Sequence, residues 1–218
     1  MKKKQKEIFL ENEGNNWFER NIKNQIPSLK DPVIKAILRC LENKSNKKKK
    51  LLEIGCGEAK RLSWISENLK FQCYGIEPSK KAVKAAKDKG IKVILGTADK
   101  LKFKKKNFDF VVFGFCLYVC DRDDLFQIAN EADRVLKNNG YLIIKDFYSK
   151  NYTKNKYHHI PGVFSYKMDY KKLFNWHPNY DCVFHEICAE INGEFKETFT
   201  ASEDNWVAIS ILKKKATI

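Results

Sequence analysis

The sequence has no apolar segment long enough to cross a lipid bilayer. Its longest uncharged apolar run, Phe110–Cys120, has eleven residues, whereas a membrane-spanning helix needs about 20. The basic start of the chain is followed by only a short apolar stretch, Ile8–Leu10, so we expect no secretion signal. None of the seven cysteines forms a C-x-x-C pair. We therefore expect reduced thiols in a cytoplasmic protein that has no membrane partner, and no metal site.

Arginine is scarce in this strongly basic chain. It supplies five of the 42 basic residues, and the net charge is +15. Arginine is the residue favoured for bidentate contacts with phosphates and bases. The lysine-rich charge therefore favours a solvated surface, and a nucleic-acid partner that uses the basic N-terminal half stays open as the alternative.

No internal repeat and no proline- or glycine-rich linker divides the chain, which predicts a single domain over residues 1–218. Apolar runs alternate with helical patterns over residues 51–144, which predicts an α/β fold with a parallel sheet covered on both faces. Two strand-like segments without a helix between them, Cys182–Ile191 and Trp206–Leu212, predict antiparallel strands at one edge. An Asn192-Gly193 turn signal follows the first segment.

Local signals predict where several helices begin and end. Asp31 before Pro32 is typical of a helix N-cap, and Ser79 predicts the start of another helix. The Asn138-Asn139-Gly140 sequence predicts the end of a third helix, before a strand at Tyr141–Ile144. In a parallel sheet of this kind, ligands bind beyond the carboxyl ends of the strands, so the strand–helix turns are where a site is expected.

The turn after the first predicted strand carries a nucleoside-binding pattern. Gly55 and Gly57 remove side chains where the backbone has to bend and approach a ligand. Glu53 precedes this pair, and Glu77 ends the next strand, where a carboxylate can bind both ribose hydroxyls. Lys60 stands in place of the third glycine of a dinucleotide motif, so a pyrophosphate site is poorly supported.

Five motifs follow one another between residues 50 and 147. They are Leu52–Gly57 (LEIGCG), Gly75–Ser79 (GIEPS), Ala98-Asp99, Phe108–Val112 (FDFVV) and Arg134–Tyr141 (RVLKNNGY). In order and spacing they resemble the motifs of class I S-adenosylmethionine-dependent methyltransferases, of the type 11-like, small-molecule group. The resemblance implies a Rossmann-like, seven-stranded, mostly parallel sheet with an antiparallel C-terminal strand and helices on both faces. It also implies S-adenosyl-L-methionine as the cofactor. Ala59 departs from the family's usual third glycine.

The resemblance implies a role for each motif residue. Glu53 would lie near the cofactor ammonium, Glu77 would hold the ribose hydroxyls, and Asp99 would accept a hydrogen bond from the adenine amino group. The other implied cofactor-binding positions are the backbone of Gly55, Cys56 and Gly57, together with Pro78, Ala98 and Phe115. Taken singly, Glu53 could cap a backbone group, Glu77 could favour a helix N-terminus, and Asp99 could be an ordinary loop acid.

The N-terminal segment Gly14–Asn21 combines Trp17 and Arg20 with asparagines. It is similar to openings of methyltransferases of bacterial surface-sugar pathways, which implies a flap in which Trp17 and Arg20 contact the cofactor. The alternative is an amphipathic helix that packs Trp17 and Phe18 on the domain.

The stretch after the fifth predicted strand is expected to form a substrate lid. Residues 147–180 hold ten of the 28 aromatic residues, with six lysines and three histidines. Aromatic faces beside cations suit a flat or sugar-like acceptor that carries negative charge, and the alternative is a lid with its own small core. Candidate general bases are His158 and His159, because histidine is a common general base in enzymes, and Tyr118 and Asp146 near strand ends.

We expect an S-adenosylmethionine-dependent methyltransferase that acts on a small molecule, with a sugar or sugar-nucleotide intermediate as the candidate acceptor. Its expected parts are an N-terminal helical flap (1–48), a cofactor-binding half (49–147), a substrate lid (148–180) and antiparallel strands (181–218). An RNA methyltransferase and a non-catalytic nucleoside-binding module are the alternatives.

Overall fold

A mostly parallel sheet forms the centre of the protein. The computed structural model describes residues 3–22, 27–41, 48–191, 194–198 and 201–216. The strands found in these ranges are β1 Lys50–Ile54, β2 Gln72–Glu77, β3 Lys92–Leu95, β4 Phe108–Gly114, β5 Leu136–Phe147, β6 Thr153–Lys156, β7 Phe164–Lys167, β8 Tyr180–Ile191, β9 Glu194–Lys196 and β10 Trp206–Lys214. Eight of them form one sheet in the order β3-β2-β1-β4-β5-β10-β8-β9, and β6 and β7 form a separate hairpin.

The direction of the strands confirms the predicted fold class. The five strands β1 to β5 pair in parallel, whereas β10 runs antiparallel to both β5 and β8. The main sheet has eight strands rather than the predicted seven, because the chain after β8 turns back and β9 pairs with residues 189–191. The predicted turn at Asn192-Gly193 lies outside the described residues.

Helices cover both faces of the sheet, as predicted. They are α1 Gln5–Ile8, α2 Gly14–Asn21, α3 Pro32–Arg39, α4 Lys60–Leu69, α5 Lys80–Asp88, α6 Leu125–Val135 and α7 Lys172–Asn175. Adjacent residues of a strand point to opposite faces. Leu51 therefore packs into a core with α3, α4 and α5, and Leu52 packs into a second core with α6 and α7. Among the described residues, no helix is long and apolar enough to cross a membrane.

The predicted helix starts at Asp31 and Ser79 are confirmed. The Asp31 carboxylate accepts a hydrogen bond from the Val33 N–H at 2.8 Å, and the Ser79 hydroxyl accepts one from the Ala82 N–H at 3.1 Å. The predicted boundary between α6 and β5 is wrong. The helix ends at Val135, because fully buried Leu136 already pairs with β4 as the first residue of β5. The Asn138-Asn139-Gly140 turn signal is thus accommodated as an irregularity inside the strand.

The N-terminal helix runs from Gln5 to Asn21 and contains one wide turn. Phe9–Glu13 forms a π-helix between α1 and α2, a type of turn that is often found at functional sites. Gly14 lies against the start of α5, where a Cβ atom would be 3.1 Å from the Ser79 nitrogen. The Asn15 side chain accepts hydrogen bonds from the Ser79 hydroxyl at 2.9 Å and the Lys81 N–H at 3.1 Å. The N-terminal helix is therefore held against the edge of the sheet where β2 ends.

Candidate functional site

The order of the strands creates a crevice beside the end of β1. Strand β1 lies between β2 and β4, so the connections diverge there, which is where open α/β sheets bind ligands. Gly55 adopts a φ of +73° and donates its N–H to the Ile76 carbonyl at 2.9 Å. A Cβ atom at position 55 would lie 2.6 Å from Cys116 Cβ. The turn therefore needs glycine at this position for both its conformation and its packing.

A hollow opens from this turn towards the ends of β2 and β3. Its empty volume, counted out to open solvent, is about 550 Å³. Four residues predicted to bind the cofactor lie in its wall, namely Gly55, Pro78, Ala98 and Asp99. The apolar side chains Ile54, Ile76, Val119 and Ile128 and the half-buried thiols Cys116 and Cys120 complete most of the wall. The hollow is thus mostly apolar, and its charged lining residues are Lys6, Asp99, Asp121 and Asp124.

The Glu77 carboxylate holds the turn to β2. One of its oxygens accepts the Gly57 N–H at 2.8 Å and the other accepts the Ser79 N–H at 2.9 Å. Burial raises the pKa of Glu77 to about 7, against the lowering effect of these two N–H donors. Gly57 has a φ of +54°, and no described atom would lie within 4 Å of a Cβ at this position. The backbone of Gly57 therefore faces open space beside the Glu77 carboxylate, whose oxygens can each accept a further hydrogen bond.

Glu53 belongs to a buried ion-pair network. Its carboxylate pairs with Arg61 in the first turn of α4, and the Arg61 Nε atom also lies 2.9 Å from Asp31 Oδ2. Burial raises the pKa of Glu53, and Arg61 opposes the rise. Only one Glu53 oxygen is used: Oε2 is buried and has no hydrogen-bond partner among the described residues. This free acceptor is the kind of group that an incoming ammonium would satisfy.

Asp99 is engaged by the N-terminal helix. Its Oδ2 atom lies 2.5 Å from the Lys6 ammonium. Burial would raise the pKa of Asp99, but the hydrogen bonds from Lys6 and Thr97 outweigh it and the net effect is a lowered pKa. Lys6 and Phe9 both lie in the wall of the hollow. The sequence patterns did not single out either residue, because each lies about 90 positions before the loop that it meets.

An aromatic cluster lies at the ends of β4 and β5. The rings of Phe115, Tyr118 and Phe147 have centroids 4.6–5.8 Å apart. Trp17 of the N-terminal helix donates its indole N–H to the Tyr118 hydroxyl at 3.2 Å. Burial raises the pKa of Tyr118, so this phenol keeps its proton at neutral pH. The cluster is next to the Gly55 turn, because Cys116 follows Phe115 and packs against Gly55.

The β6–β7 hairpin of the predicted lid reaches the N-terminal helix. The Tyr157 hydroxyl donates to buried Glu13 at 2.8 Å and accepts from Arg20 at 3.1 Å. Arg20 also pairs with Glu13, so the predicted cofactor contact of Arg20 stays a prediction. Phe18 is buried, as the amphipathic alternative predicts, while Trp17 is half-buried and faces Tyr118. The N-terminal helix and the β6–β7 hairpin therefore contact each other beside the aromatic cluster.

The other candidate bases have different environments. Asp146 is buried, and its carboxylate accepts backbone N–H groups of Leu117 at 2.7 Å, Phe147 at 2.8 Å and Cys116 at 3.1 Å. Burial raises the pKa of Asp146 to about 7. His158 and His159 are exposed in the turn of the β6–β7 hairpin. Catalytic roles for these residues stay predictions.

The site residues fit an adenosyl cofactor in three respects. The hollow has the mostly apolar wall that a purine requires, and the Asp99 carboxylate lies in that wall to accept from an amino group. Glu77 lies beside the open backbone of Gly57. The unpartnered Glu53 oxygen lies on the neighbouring strand, and Glu53 is near enough to contribute to the raised pKa of Glu77. Acceptors for an amino group, for hydroxyls and for an ammonium therefore follow one another along one edge.

Comparison with known proteins gives one family and one curated relative. Residues 52–144 match the protein family described as a methyltransferase domain. An uncharacterized protein of Methanocaldococcus jannaschii is 30% identical over an alignment of 152 residues, which covers 66% of this chain and 64% of that protein. The chain thus spans less than two thirds of the length of that relative.

Solved structures share the fold. A S-adenosylmethionine-dependent methyltransferase from Methanosarcina mazei is similar with a TM-score of 0.64 and 18% identity, over 84% of this chain and 98% of that one. The Burkholderia thailandensis 1,6-didemethyltoxoflavin-N1-methyltransferase, with bound 1,6-didemethyltoxoflavin and S-adenosylhomocysteine, is similar with a TM-score of 0.69 and 11% identity, over 96% and 88% of the two chains. At these identities the likeness concerns the arrangement of helices and strands.

Proposed function

We propose that this chain, which carries a class I S-adenosylmethionine-dependent methyltransferase domain, transfers a methyl group from that cofactor to a small molecule. The match of residues 52–144 to a methyltransferase domain supports the family predicted from the motifs, and the fold shared with solved methyltransferase structures agrees with it. The observation that carries the proposal is the bare turn Gly55–Gly57 between the hollow and Glu77.

In the proposed complex, Asp99 and the apolar hollow hold the adenine, and Glu77 holds the ribose hydroxyls. The free Glu53 oxygen receives the ammonium, while Arg61 keeps the carboxylate in place. When bound, the cofactor supplies an electrophilic methyl group. This chain then has to hold the acceptor in line with that group and exclude water, which can supply most of the catalysis.

The surroundings of the aromatic cluster support a small-molecule acceptor. Trp17 donates to Tyr118 of the cluster, and Tyr157 of the β6–β7 hairpin donates to Glu13 of the same N-terminal helix, so two separate parts of the chain meet beside the cluster. Aromatic faces together with Arg20 suit a flat or sugar-like acceptor with negative charge, and a sugar or sugar-nucleotide intermediate has that chemistry. The bound 1,6-didemethyltoxoflavin of the Burkholderia neighbour gives further support for an acceptor of this size.

Tyr118 is the candidate that belongs to the aromatic cluster. Because its pKa is raised, it orients the acceptor as a hydrogen-bond donor rather than removing a proton. His159 packs against Tyr157 with ring centroids 5.2 Å apart, so the hairpin carries an imidazole beside the ring that contacts the N-terminal helix. Single-turnover rates of Tyr118→Phe and His159→Gln, measured as a function of pH, will separate the two roles.

Calorimetry with S-adenosylmethionine and S-adenosylhomocysteine tests the cofactor assignment. Glu77→Gln should weaken binding by about 1–3 kcal/mol, because the ribose hydroxyls lose a charged acceptor. Glu67→Gln, which changes an exposed glutamate of α4, is the matched control and should leave affinity unchanged. Equal affinities for both variants would contradict the assignment.

The acceptor can then be sought directly. The protein is incubated with a cofactor that carries a labelled methyl group and with fractionated lysate. Label in a fraction of small molecules supports the proposal, whereas label in RNA supports the RNA alternative. Cofactor binding without label in any fraction, and without release of S-adenosylhomocysteine, would favour the non-catalytic module.

A further inference from the structure

Ion pairs join the first described turn of the chain to two aspartates in the wall of the hollow. The Lys6 ammonium lies 2.5 Å from Asp99 Oδ2 and 2.7 Å from Asp124 Oδ2. The Lys4 ammonium lies 2.7 Å from Asp124 Oδ1. Both aspartates belong to loops that follow strands at the carboxyl edge, so these pairs cross from one side of the hollow to the other.

Backbone and amide hydrogen bonds reinforce the same contact. The Asp121 carboxylate accepts the N–H groups of Gln5 at 2.9 Å and Lys6 at 3.0 Å. The Gln5 side chain donates to the carbonyls of Val119 at 2.8 Å and Phe164 at 3.0 Å, and accepts the Phe164 N–H at 2.7 Å. Residues 3–9, which we call the latch segment, are thus bound to the loop after β4 and to the β6–β7 hairpin.

The charges of the latch are partly shielded from water. The side chains of Asp124, Asp99 and Lys6 are 13%, 17% and 27% exposed. Ion pairs with this degree of burial are screened less by salt than exposed pairs. Lys3 provides a contrast within the same segment, because it pairs with Glu11 of the N-terminal helix itself and both side chains are more than half exposed.

We propose that the latch segment is a cover over the base end of the cofactor pocket, and that breaking its contacts with Asp99, Asp121 and Asp124 sets how fast the spent cofactor leaves. The inference rests on the proposed function. The hollow is open even though Lys6 and Phe9 of the latch segment line it, so the closed latch leaves room for a ligand. A cofactor in this hollow would have the latch segment between its adenine and solvent, and release would require the segment to lift.

The dissociation rate of S-adenosylhomocysteine tests the latch. Labelled ligand is displaced by an excess of unlabelled ligand from the wild type and from Lys6→Met, Lys6→Arg and Lys3→Met. Lys6→Met should release the ligand about tenfold faster, since a lost hydrogen bond between charged groups corresponds to at least this factor. Lys6→Arg keeps the cation and should restore slow release, and Lys3→Met should match the wild type.

The same dissociation rates measured at several salt concentrations provide a second test. Release from the wild type should accelerate between 10 mM and 1 M salt, where the screening length falls from roughly 30 Å to roughly 3 Å. Release from Lys6→Met should respond less. Equal rates and equal salt dependence for all four proteins would overturn the latch while leaving the cofactor site intact.

Hydrogen exchange tests the latch without any ligand. In Lys6→Met, the amides of residues 5–9 should exchange faster than in the wild type, and those of β1 should be unchanged. Unchanged exchange at Gln5 and Lys6 would overturn the proposal even if the protein bound no cofactor. A failure of the proposed function would instead appear as loss of ligand binding with an intact exchange difference.

Discussion

The two edges of the parallel sheet differ in their charged residues, although the same strands build both. The carboxyl edge holds the buried acids Glu53, Glu77 and Asp146. At the amino edge, Lys48–Lys50 lead into β1, Lys104–Lys106 precede β4 and Lys137 is the second residue of β5. Two of these segments meet at Asp109, which accepts the Lys50 N–H at 2.8 Å and the Lys137 ammonium at 3.0 Å.

Helix dipoles do not account for this difference. A helix dipole favours acids at the start of the helix, but the first turns of α4, α5 and α6 hold no acidic residue, and α4 and α5 begin with Lys60 and Lys80. Part of the net charge of +15 lies at the amino edge, away from the proposed cofactor site. The comparison teaches that charge alone does not identify the acceptor, since lysines lie at both edges: Lys48–Lys50 opposite the hollow, and Lys4 and Lys6 beside it.

Removal of the buried cation should have the largest effect. Arg61→Met leaves Glu53 and Asp31 buried without their partner and should lower the free energy of unfolding by about 3–5 kcal/mol. The control is Arg39→Met, which removes an exposed arginine 4.5 Å from the Phe184 ring and should cost about 0.5–1 kcal/mol. Urea denaturation measures both, and equal losses would contradict the buried network.

Two glycines with the same backbone conformation allow the edges to be compared directly. Gly55 and Gly90 have φ values of +73° and +74°. Only Gly55 is packed, against Cys116, whereas no described atom would contact a Cβ at Gly90. Gly55→Ala should cost about 3 kcal/mol, from backbone strain plus overpacking, and Gly90→Ala about 1 kcal/mol. Thermal or urea unfolding that ranks the two variants equally would show that the turn is not tightly packed.

Stability should depend on pH through the acids of the carboxyl edge. Burial raises the pKa of Asp146 from its ordinary 3.8 to about 7. Between these values the folded protein holds a proton that the unfolded chain has lost, so the free energy of unfolding falls as pH rises from 4 to 7 and then levels. The slope of this contribution is at most about 1.4 kcal/mol per pH unit.

The matched variant for this pH dependence is Asp146→Asn, which cannot titrate. Urea unfolding of both proteins at several pH values should give a shallower decline for the variant. Glu77, whose pKa burial raises to about 7, should maintain part of the slope in both proteins. Parallel profiles would mean that Asp146 is ionised throughout.

The smallest effect is expected at the amino edge. Lys104→Gln and Lys105→Gln change exposed side chains and should each alter stability by less than about 0.5 kcal/mol. Neither should change cofactor affinity, and RNA retention should be weak with a flat salt dependence. A steep log–log salt slope that falls by about 0.7 for each lysine removed would instead favour the RNA alternative.

Much of the candidate site could be predicted from the local spacing of residues in the sequence. Gly55, Gly57 and Glu77 follow strands whose apolar runs are short and continuous, so their place at one edge could be predicted from strand polarity and from the family resemblance. The caps Asp31 and Ser79 act within three residues of their own position, which is why they were also predictable.

Contacts between distant elements could not be predicted in this way. The pairing of Glu53 with Arg61 depends on how α4 crosses β1, and the Lys6–Asp99 contact joins residues 93 positions apart. The start of β5 at Leu136 was missed for the same reason, because pairing with β4 overrides the local turn signal.

The wide turn at Phe9–Glu13 has a consequence for the whole N-terminal helix. A straight α-helix advances by about 100° per residue, so the extra residue of the π turn rotates everything after it relative to the first turn. This offset lets Lys6 point to Asp99 while Glu13 and Arg20 meet the β6–β7 hairpin. Deleting one residue within 9–13 would restore a regular α-helix. The helix could then keep either the Lys6–Asp99 contact or the contacts of Glu13 and Arg20 with Tyr157, but not both.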